Sequence, residues 1–303
     1  MNIGIIGLGV MGSAIAHRAI KAGFDVVGFD THIEHARRAR MMGVNIVEYA
    51  PLVAGNARII WLMLPAGPVV DQVIQELRPM LHAGDIIIDG GNSFFQDSVR
   101  RYQTLQKDEI FFVDCGTSGG LHGRDNGFCL MVGGDFQIFE RLEPLLKAIA
   151  APDGYAYVGP SGAGHYVKMV HNGIEYALMQ AYAEGFHLLK DGYYADLDLA
   201  AIARVWEHGS IVRSWLLQLL REVMQEDQDL HEISGRVDQG GTGRWTAQEA
   251  HARNVPMPCL ERALAVRSWS HKTTGNYTTK LVALMRNKFG GHRVYKRSED
   301  IPV

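Results

Sequence analysis

The sequence predicts an α/β domain built on a mostly parallel sheet, followed by an all-α domain. Three observations lead there. Short apolar, β-branched runs alternate with helix-length segments as far as about residue 160. A glycine-rich turn joins the first such run to the first helix. After Gly159 the strand-like runs stop and long helical patterns take over. The 303 residues, 47% of them apolar, are enough for two cores.

Each element follows from its residues. NIGIIGL reads as a buried strand, SAIAHRAIKAG as an amphipathic helix stopped by Gly23, and FDVVGFD as a second strand ending at Asp30. ARIIWLML, GDIIIDG and IFFVDC continue the series, with helical segments between them. LMVGGD near residue 130 and YAYVG near 157 add two strands. GPSGAG is a loop. Beyond it the patterns predict helices over roughly 163–190, 198–224, 244–253, 257–271 and 275–288. The prolines of PMPCLERALAVRSW suit a first helical turn. HRVYKRSEDIPV holds too little apolar material for a core element and reads as a tail. The expected organisation is residues 1–160, residues 161–290 and a tail over 291–303.

Composition removes several classes of function. A net charge of −3 gives no ground for nucleic-acid binding, so an anionic ligand must be met by local basic residues. Cys115, Cys129 and Cys259 are few and widely spaced. They fit a reducing cytoplasm rather than a disulfide framework or a zinc site, and no metal is expected. MNIGIIGLG lacks a basic n-region and a long apolar h-region, so neither a signal peptide nor a membrane span is expected.

Gly7, Gly9 and Gly12, with Leu8, Val10 and Met11 between them, form G-x-G-x-x-G between the first strand and the first helix. This is the fingerprint of a Rossmann dinucleotide-binding domain. The first glycine permits a tight turn, the second lets backbone approach a pyrophosphate, and the third lets helix and strand pack closely. The helix N-terminus then offers N–H groups to the phosphates. Asp30 ends the second strand, where a carboxylate can accept both ribose hydroxyls of NAD and repel a 2′-phosphate. Arg37 or Arg38, swung to such a phosphate, would instead permit NADP. Two later loops fall where a nicotinamide would lie: LPAG, with Leu64 and Pro65, and DGGNS, with Asn92. Asn92 reads equally as a ligand of the carboxamide or substrate and as ordinary turn chemistry.

The stretch GAGHYVKMVHNGIEY carries the reactive groups. Lys168, His171, Asn172 and Glu175 recur at i, i+3, i+4 and i+7, which stacks them on one helix face. Lys168 is a candidate general base, if burial or nearby positive charge lowers its pKa, and Glu175 a candidate acid. His171 and Asn172 can hold hydroxyls between them. A solvated lysine and a structural histidine are the plainer alternatives. In CGTSGGLHG, Ser118, Gly119 and Gly120 supply a hydroxyl and N–H groups suited to a carboxylate, or simply a flexible loop. Arg244 and Thr246 in GGTGRWT, Arg267 in ALAVRSW, and Arg286 and His292 in MRNKFGGH form a basic set. Arginine forks bind phosphate well, but each alone is an ordinary surface charge. Their meaning depends on whether the fold brings them together.

In this order, GLGVMG, DGGNS, TSGG, GAGHYVKMVHNGIEY, GTGRWT and RNKFGGH resemble the decarboxylating 6-phosphogluconate dehydrogenase family, in its short, often NAD-preferring form. The resemblance implies oxidation of 6-phospho-D-gluconate at C3, loss of carbon dioxide and release of ribulose 5-phosphate, a step of the pentose phosphate pathway. It implies Lys168 as base and Glu175 as acid. It assigns Asn92, Ser118, Gly119, Gly120, His171 and Asn172 to the carboxylate and hydroxyls. Tyr176, Arg244, Thr246 and Arg267 fall to the 6-phosphate, with an arginine in place of the family's usual lysine at Arg244. It further implies that Arg286 and His292 reach a neighbouring subunit's site in a homodimer or homotetramer. Two rivals remain at this point. One is a β-hydroxyacid dehydrogenase acting on a small 3-hydroxy acid, which would need no distal arginines. The other is a redox sensor that binds NAD without chemistry, which would not need Lys168 aligned with Glu175.

Overall fold

A computed structural model describes residues 2–299. The unit Met1–Met169 runs β1 (Asn2–Ile6), α1 (Val10–Lys21), β2 (Asp25–Phe29), α2 (Ile33–Met41), β3 (Asn45–Ile46), α3 (Ala50–Asn56), β4 (Ile59–Leu62), α4 (Pro68–Leu77), β5 (Ile86–Asp89), α5 (Phe95–Leu105), β6 (Phe111–Ser118), α6 (Gly123–Asn126), β7 (Phe128–Gly133), α7 (Phe136–Ile149) and β8 (Ala150–Gly159). The strands make one sheet in the order β3-β2-β1-β4-β5-β6-β7-β8. All neighbours pair in parallel except β6 and β7.

The apolar runs explain this arrangement. β4 (IIWL) and β5 (IIID) are buried at every position. Strand period 2 sends alternate side chains to opposite faces. Ile3, Ile5, Trp61, Ile86 and Ile88 enter one apolar layer. Ile6, Ile60, Leu62 and Ile87 enter the other. Helices must therefore cover both faces, as in parallel sheets generally. The strand order reverses between β1 and β4, so the loops leaving their carboxyl ends sit side by side at the switch point where such sheets bind ligands.

The unit Val170–Val303 is helical. α8 (Ala163–Asp191) begins in the first unit and ends in the second. It is followed by α9 (Leu199–Gly209), α10 (Trp215–Glu226), α11 (Gly241–Ala252), α12 (Pro258–Ser270) and α13 (Tyr277–Gly290). Tyr176, Met179, Ala183 and Phe186 of α8 share a core with Leu220 and Val223 of α10, Leu260 and Ala263 of α12, and Leu281 and Met285 of α13.

The single helix expected over 198–224 is two. Ser214 adopts an extended conformation and its Oγ accepts from Leu217 N at 3.1 Å, so it caps α10 rather than continuing α9. The described part of the tail is held in place. Lys296 forms an antiparallel bridge with Ile233. Residues 300–303 of the expected tail lie outside the described residues. Among the described residues no helix is long and apolar enough to cross a membrane.

Candidate active site

Residues Gly7 to Gly12 form the turn between β1 and α1. Gly7 has φ +92° and its N–H donates to Phe29 O at 2.9 Å. A Cβ on Gly12 would lie 1.8 Å from Gly7 O, so no other residue lets α1 approach the turn this closely. No side chain caps the helix start at Gly9. Leu8 is buried, while Val10 is exposed beside Met11. These are the features a pyrophosphate needs: bare backbone and unshielded amides at the positive end of a helix. The turn fits a dinucleotide.

Asp30 does more than its position suggested. Its carboxylate accepts from Leu8 N at 2.6 Å and from His32 N at 2.7 Å, and His35 Nδ1 lies 3.2 Å away. It pins the glycine turn to the end of β2. His35, which the sequence reading passed over, sets one wall of this corner. Arg37 and Arg38 are exposed, and Arg38 Nε donates within α2 to Glu34 O.

The LPAG and DGGNS loops are tied together by a residue with no motif of its own. Arg101 is buried on α5. It donates to Asp71 through Nε (2.9 Å) and Nη2 (3.0 Å), to Gly67 O (3.1 Å) and to Asp89 Oδ2 (3.1 Å). Asp89, fully buried, also accepts from Ser93 Oγ and Gly91 N. Burial works against the Asp71 charge, but hydrogen bonds from Arg101 and Arg100 outweigh it and hold the carboxyl at about 2. Leu64 is half-buried, Pro65 is exposed, and Asn92 projects exposed from the loop that Asp89 shapes.

Lys168 is buried at 5% exposure. A Cβ on Gly116 would meet Lys168 Cβ at 2.4 Å, so the lysine stem lies on bare β6 backbone. Ser118, at the end of β6, pairs in register with Cys129, whose thiol feels the Lys168 charge. Gly119 and Gly120 follow with φ +125° and +53°. The structure thus brings Lys168 close to the TSGG segment.

Asp114, which carried no signal in the sequence, anchors this helix. Its carboxylate is fully buried and accepts from Gly162 N at 2.6 Å and His165 N at 2.9 Å at the start of α8. His165 Nδ1 in turn meets Ser98 Oγ at 2.7 Å. Asp114→Ala strands two buried amides and removes the anion at a helix N-terminus. The expected loss is roughly 2–4 kcal/mol in denaturant unfolding, with Asp114→Asn losing less.

In the helical unit, Asn172 is buried, with His171 Nδ1 at 3.1 Å from its Oδ1 and its Nδ2 donating to Thr242 Oγ1 at 3.3 Å. His171 Nδ1 is 3.9 Å from Glu175 Oε2. His171 and Glu175 are four residues apart on α8, which puts them on one face of the helix. Tyr176, also buried, faces a cationic group. Arg267, 1% exposed, lies flat on its ring with Cζ 3.5 Å from the centroid. Apart from Tyr176, on which the guanidinium lies, Nη1 and Nη2 of Arg267 have no hydrogen-bond partner among the described residues. Burial pushes this guanidinium down to about 10, and nearby Arg286 pushes the same way.

Arg286 is buried on α13, which lowers its pKa against the opposing pull of Tyr176, Asp238 and Glu175. Burial, then Arg286 and Arg267, bring His292 down to about 4, so it is neutral at pH 7. Thr246 is buried, with its hydroxyl on Thr242 O at 2.9 Å. Arg244 is exposed on the same helix. Within the chain, Arg286 and Arg267 lie close enough for each to act on the charge of the group beside it, His292 included. Two buried cations, one of them Arg267 with unused donors beside a tyrosine, suit a doubly charged anion. Among the described residues no group of three His, Cys, Asp or Glu side chains gathers as a metal site requires.

Both halves of the chain are similar to parts of known enzymes. Residues 2–162 match the NAD binding domain of 6-phosphogluconate dehydrogenase, and residues 164–282 match that enzyme's C-terminal domain. The NAD(+)-dependent, decarboxylating 6-phosphogluconate dehydrogenase of Haloferax volcanii is 44% identical over 99% of this chain and 100% of its own length. The Bacillus subtilis enzyme of the same description is 37% identical over 88% of this chain, but this covers only 60% of the longer relative. The solved Plasmodium falciparum 6-phosphogluconate dehydrogenase, studied with NADP+ and with 6-phosphogluconate, is 30% identical, with a TM-score of 0.80 over 89% of this chain and 62% of its own. Matches to both halves, together with a relative alike along nearly the whole length, make this chain a member of the 6-phosphogluconate dehydrogenase family of oxidoreductases.

Proposed function

We propose that the protein oxidises and decarboxylates 6-phospho-D-gluconate to ribulose 5-phosphate, with NAD as the favoured hydride acceptor. The observation that carries this reading is the Arg267 guanidinium, buried on Tyr176 with two unused donors beside Arg286 and His292. A substrate without a phosphate would give that group nothing to bind.

NAD supplies the acceptor for the hydride from C3. The Gly7–Gly12 turn would hold its pyrophosphate and Asp30 its ribose. Lys168 takes the proton of the 3-hydroxyl as the C3 hydride departs, leaving a 3-keto acid. The C1–C2 bond then breaks. Its electron pair passes into the ketone, whose oxygen takes back the proton held by Lys168, carbon dioxide leaves, and an enediol remains. Glu175 supplies the proton to the former C2, which becomes C1 of ribulose 5-phosphate, while Lys168 takes the enediol hydroxyl proton as the ketone re-forms. Ser118, Gly119, Gly120, Asn92, His171 and Asn172 orient the carboxylate and hydroxyls. Tyr176, Thr246, Arg267, Arg286 and His292 take the phosphate, with exposed Arg244 as an outer contact. A homo-oligomer, dimer or tetramer, working in the cytoplasm completes the reading.

The test is to supply 6-phosphogluconate with either cofactor and follow reduced cofactor and carbon dioxide together. Equimolar NADH and carbon dioxide are expected. NADPH formed to the exclusion of NADH would overturn the cofactor assignment, and reduction without carbon dioxide would overturn the reaction.

Asp30→Asn tests the basis of the NAD preference. It keeps one acceptor oxygen, for either the Leu8 or the His32 N–H but not both, and removes the negative charge. The ratio of kcat/KM for NAD over NADP should fall on the order of tenfold, about 1.4 kcal/mol. An unchanged ratio would place the discrimination elsewhere.

A further inference from the structure

We infer that Arg101 is a positioning residue for the cofactor: from behind the site it clamps together the two loops suited to the nicotinamide end of a dinucleotide, and it acts on that end alone. The inference rests on the reading of LPAG and DGGNS as the nicotinamide loops, and deepens it by naming the residue that holds them.

The two loops are neighbours because their strands are. LPAG follows β4 and DGGNS begins at the end of β5, and the last residues of these strands, Leu62 and Asp89, pair in register. Gly90 N donates to Leu62 O at 2.9 Å. A Cβ on Gly91 would lie 2.6 Å from Leu64 O, so no side chain fits between the loops at that point. What sets their spacing has to come from behind them.

Arg101 lies there, 2% exposed on α5, and each of its three side-chain nitrogens donates. Nε and Nη2 take the two carboxylate oxygens of Asp71, in the first turn of α4, at 2.9 and 3.0 Å. Nη2 also reaches Gly67 O at 3.1 Å, where LPAG ends. Gly67 has φ +112° and no side chain caps α4, so Arg101 supplies the side-chain contact at this turn. Nη1 donates to Asp89 Oδ2 at 3.1 Å. Asp89 carries the hold forward. Its carboxylate accepts from Gly91 N at 3.2 Å and from Ser93 Oγ at 2.7 Å, the residues on either side of Asn92. Arg100 secures Asp71 from the solvent side, with Nη1 and Nη2 each at 3.0 Å.

This arrangement asks for more than charge. Neutralising the buried Asp89 carboxylate needs one cation of any kind. Serving two carboxylates and a carbonyl at once needs a planar fork, whereas an ammonium has a single nitrogen to place. Among the described residues, the hydrogen-bond partners of Arg101 are Gly67, Asp71 and Asp89, and none belongs to the Gly7–Gly12 turn or the Asp30 corner. Loss of the fork should therefore loosen the nicotinamide end and leave the adenosine and pyrophosphate end in place.

Arg101→Lys separates the fork from the charge, and two ligands separate the ends of the cofactor. ADP-ribose has the adenosine and pyrophosphate of NAD but no nicotinamide. Calorimetric titration of wild type should show NAD bound more tightly than ADP-ribose. In Arg101→Lys the Kd for NAD should rise about tenfold, while that for ADP-ribose stays within about twofold. Unchanged affinity for both would mean that Arg101 serves only to neutralise Asp89. A parallel loss of both would mean that it holds the domain as a whole. Either result overturns the inference, as does a wild type that binds the two ligands alike, since the nicotinamide then rests elsewhere. If Arg101→Lys does not fold, Asp71→Asn takes its place, because it weakens the clamp from the solvent side and keeps the Arg101–Asp89 pair. A selective loss of about threefold for NAD is then expected, and equal effects on both ligands would overturn the inference. Failure of wild type to oxidise 6-phosphogluconate would overturn the proposed reaction by itself, and the binding comparison would still judge Arg101.

Discussion

Lys168→Ala is expected to lower kcat by about three orders of magnitude while leaving NAD affinity within a few-fold of wild type. A positioned general base contributes roughly 10²–10⁴ in rate, and no other amine is buried on the α8 face. The groups suited to NAD lie elsewhere, on the Gly7–Gly12 turn and at Asp30, so its binding should survive. Steady-state kinetics and a fluorescence titration of NAD separate the two effects. The Lys168 side chain also packs on Gly116, so some loss of stability accompanies the change. Lys168→Met keeps that packing and should be as inactive as Lys168→Ala. Equal loss of turnover and NAD affinity in both variants would make Lys168 a structural residue.

Arg267→Met should do two opposite things: raise the stability of the ligand-free protein, and raise KM for 6-phosphogluconate about a hundredfold. Arg267 is charged at pH 7 in both folded and unfolded states. Its folded pKa, about 10, lies below the ordinary 12.5, so folding disfavours the charged form. That penalty is complete below pH 10 and recedes only as pH rises from about 10 towards 12.5. At roughly 1.4 kcal/mol per tenfold, it is on the order of 3 kcal/mol. A methionine of similar length lies on Tyr176 without it. Bound phosphate offsets the same penalty in wild type, so phosphate should raise the wild-type melting temperature but not that of Arg267→Met. Differential scanning calorimetry with and without phosphate measures both. A variant less stable than wild type in the absence of anion would show that Arg267 holds the fold rather than a ligand.

The legible parts of this molecule are those written in consecutive residues. The glycine fingerprint, the apolar strands from Asn2 to Asp114 and the polar row on α8 each need only local spacing, and each was readable. The contacts that make them work join residues far apart in the chain. Arg101 reaches Asp71, Gly67 and Asp89 from one turn of α5, and nothing local marks it. Asp114 sits in an apolar run that reads as a strand, and its task is set only by the loop before α8 arriving above it. The break between α9 and α10 depends on one serine choosing a cap over a helical turn. Arg267, Arg286 and His292 were visible as types, but only the fold shows that Arg267 and Arg286 are buried near one another while Arg244 is exposed. The tail reads as polar, with too little apolar material for a core element; the contacts of Arg236 and Arg293 with the Tyr295 ring are of a kind that apolar counting does not register.

The central claim is that a buried cationic pocket selects a phosphorylated sugar acid for the base and acid on α8. Comparing kcat/KM for 6-phosphogluconate with that for unphosphorylated gluconate, NAD saturating, tests it most directly. A preference on the order of 10³ or more is expected, because gluconate would leave the Arg267 donors unpaired. Equal efficiency on the two acids, or faster turnover of a small 3-hydroxy acid, would contradict the claim.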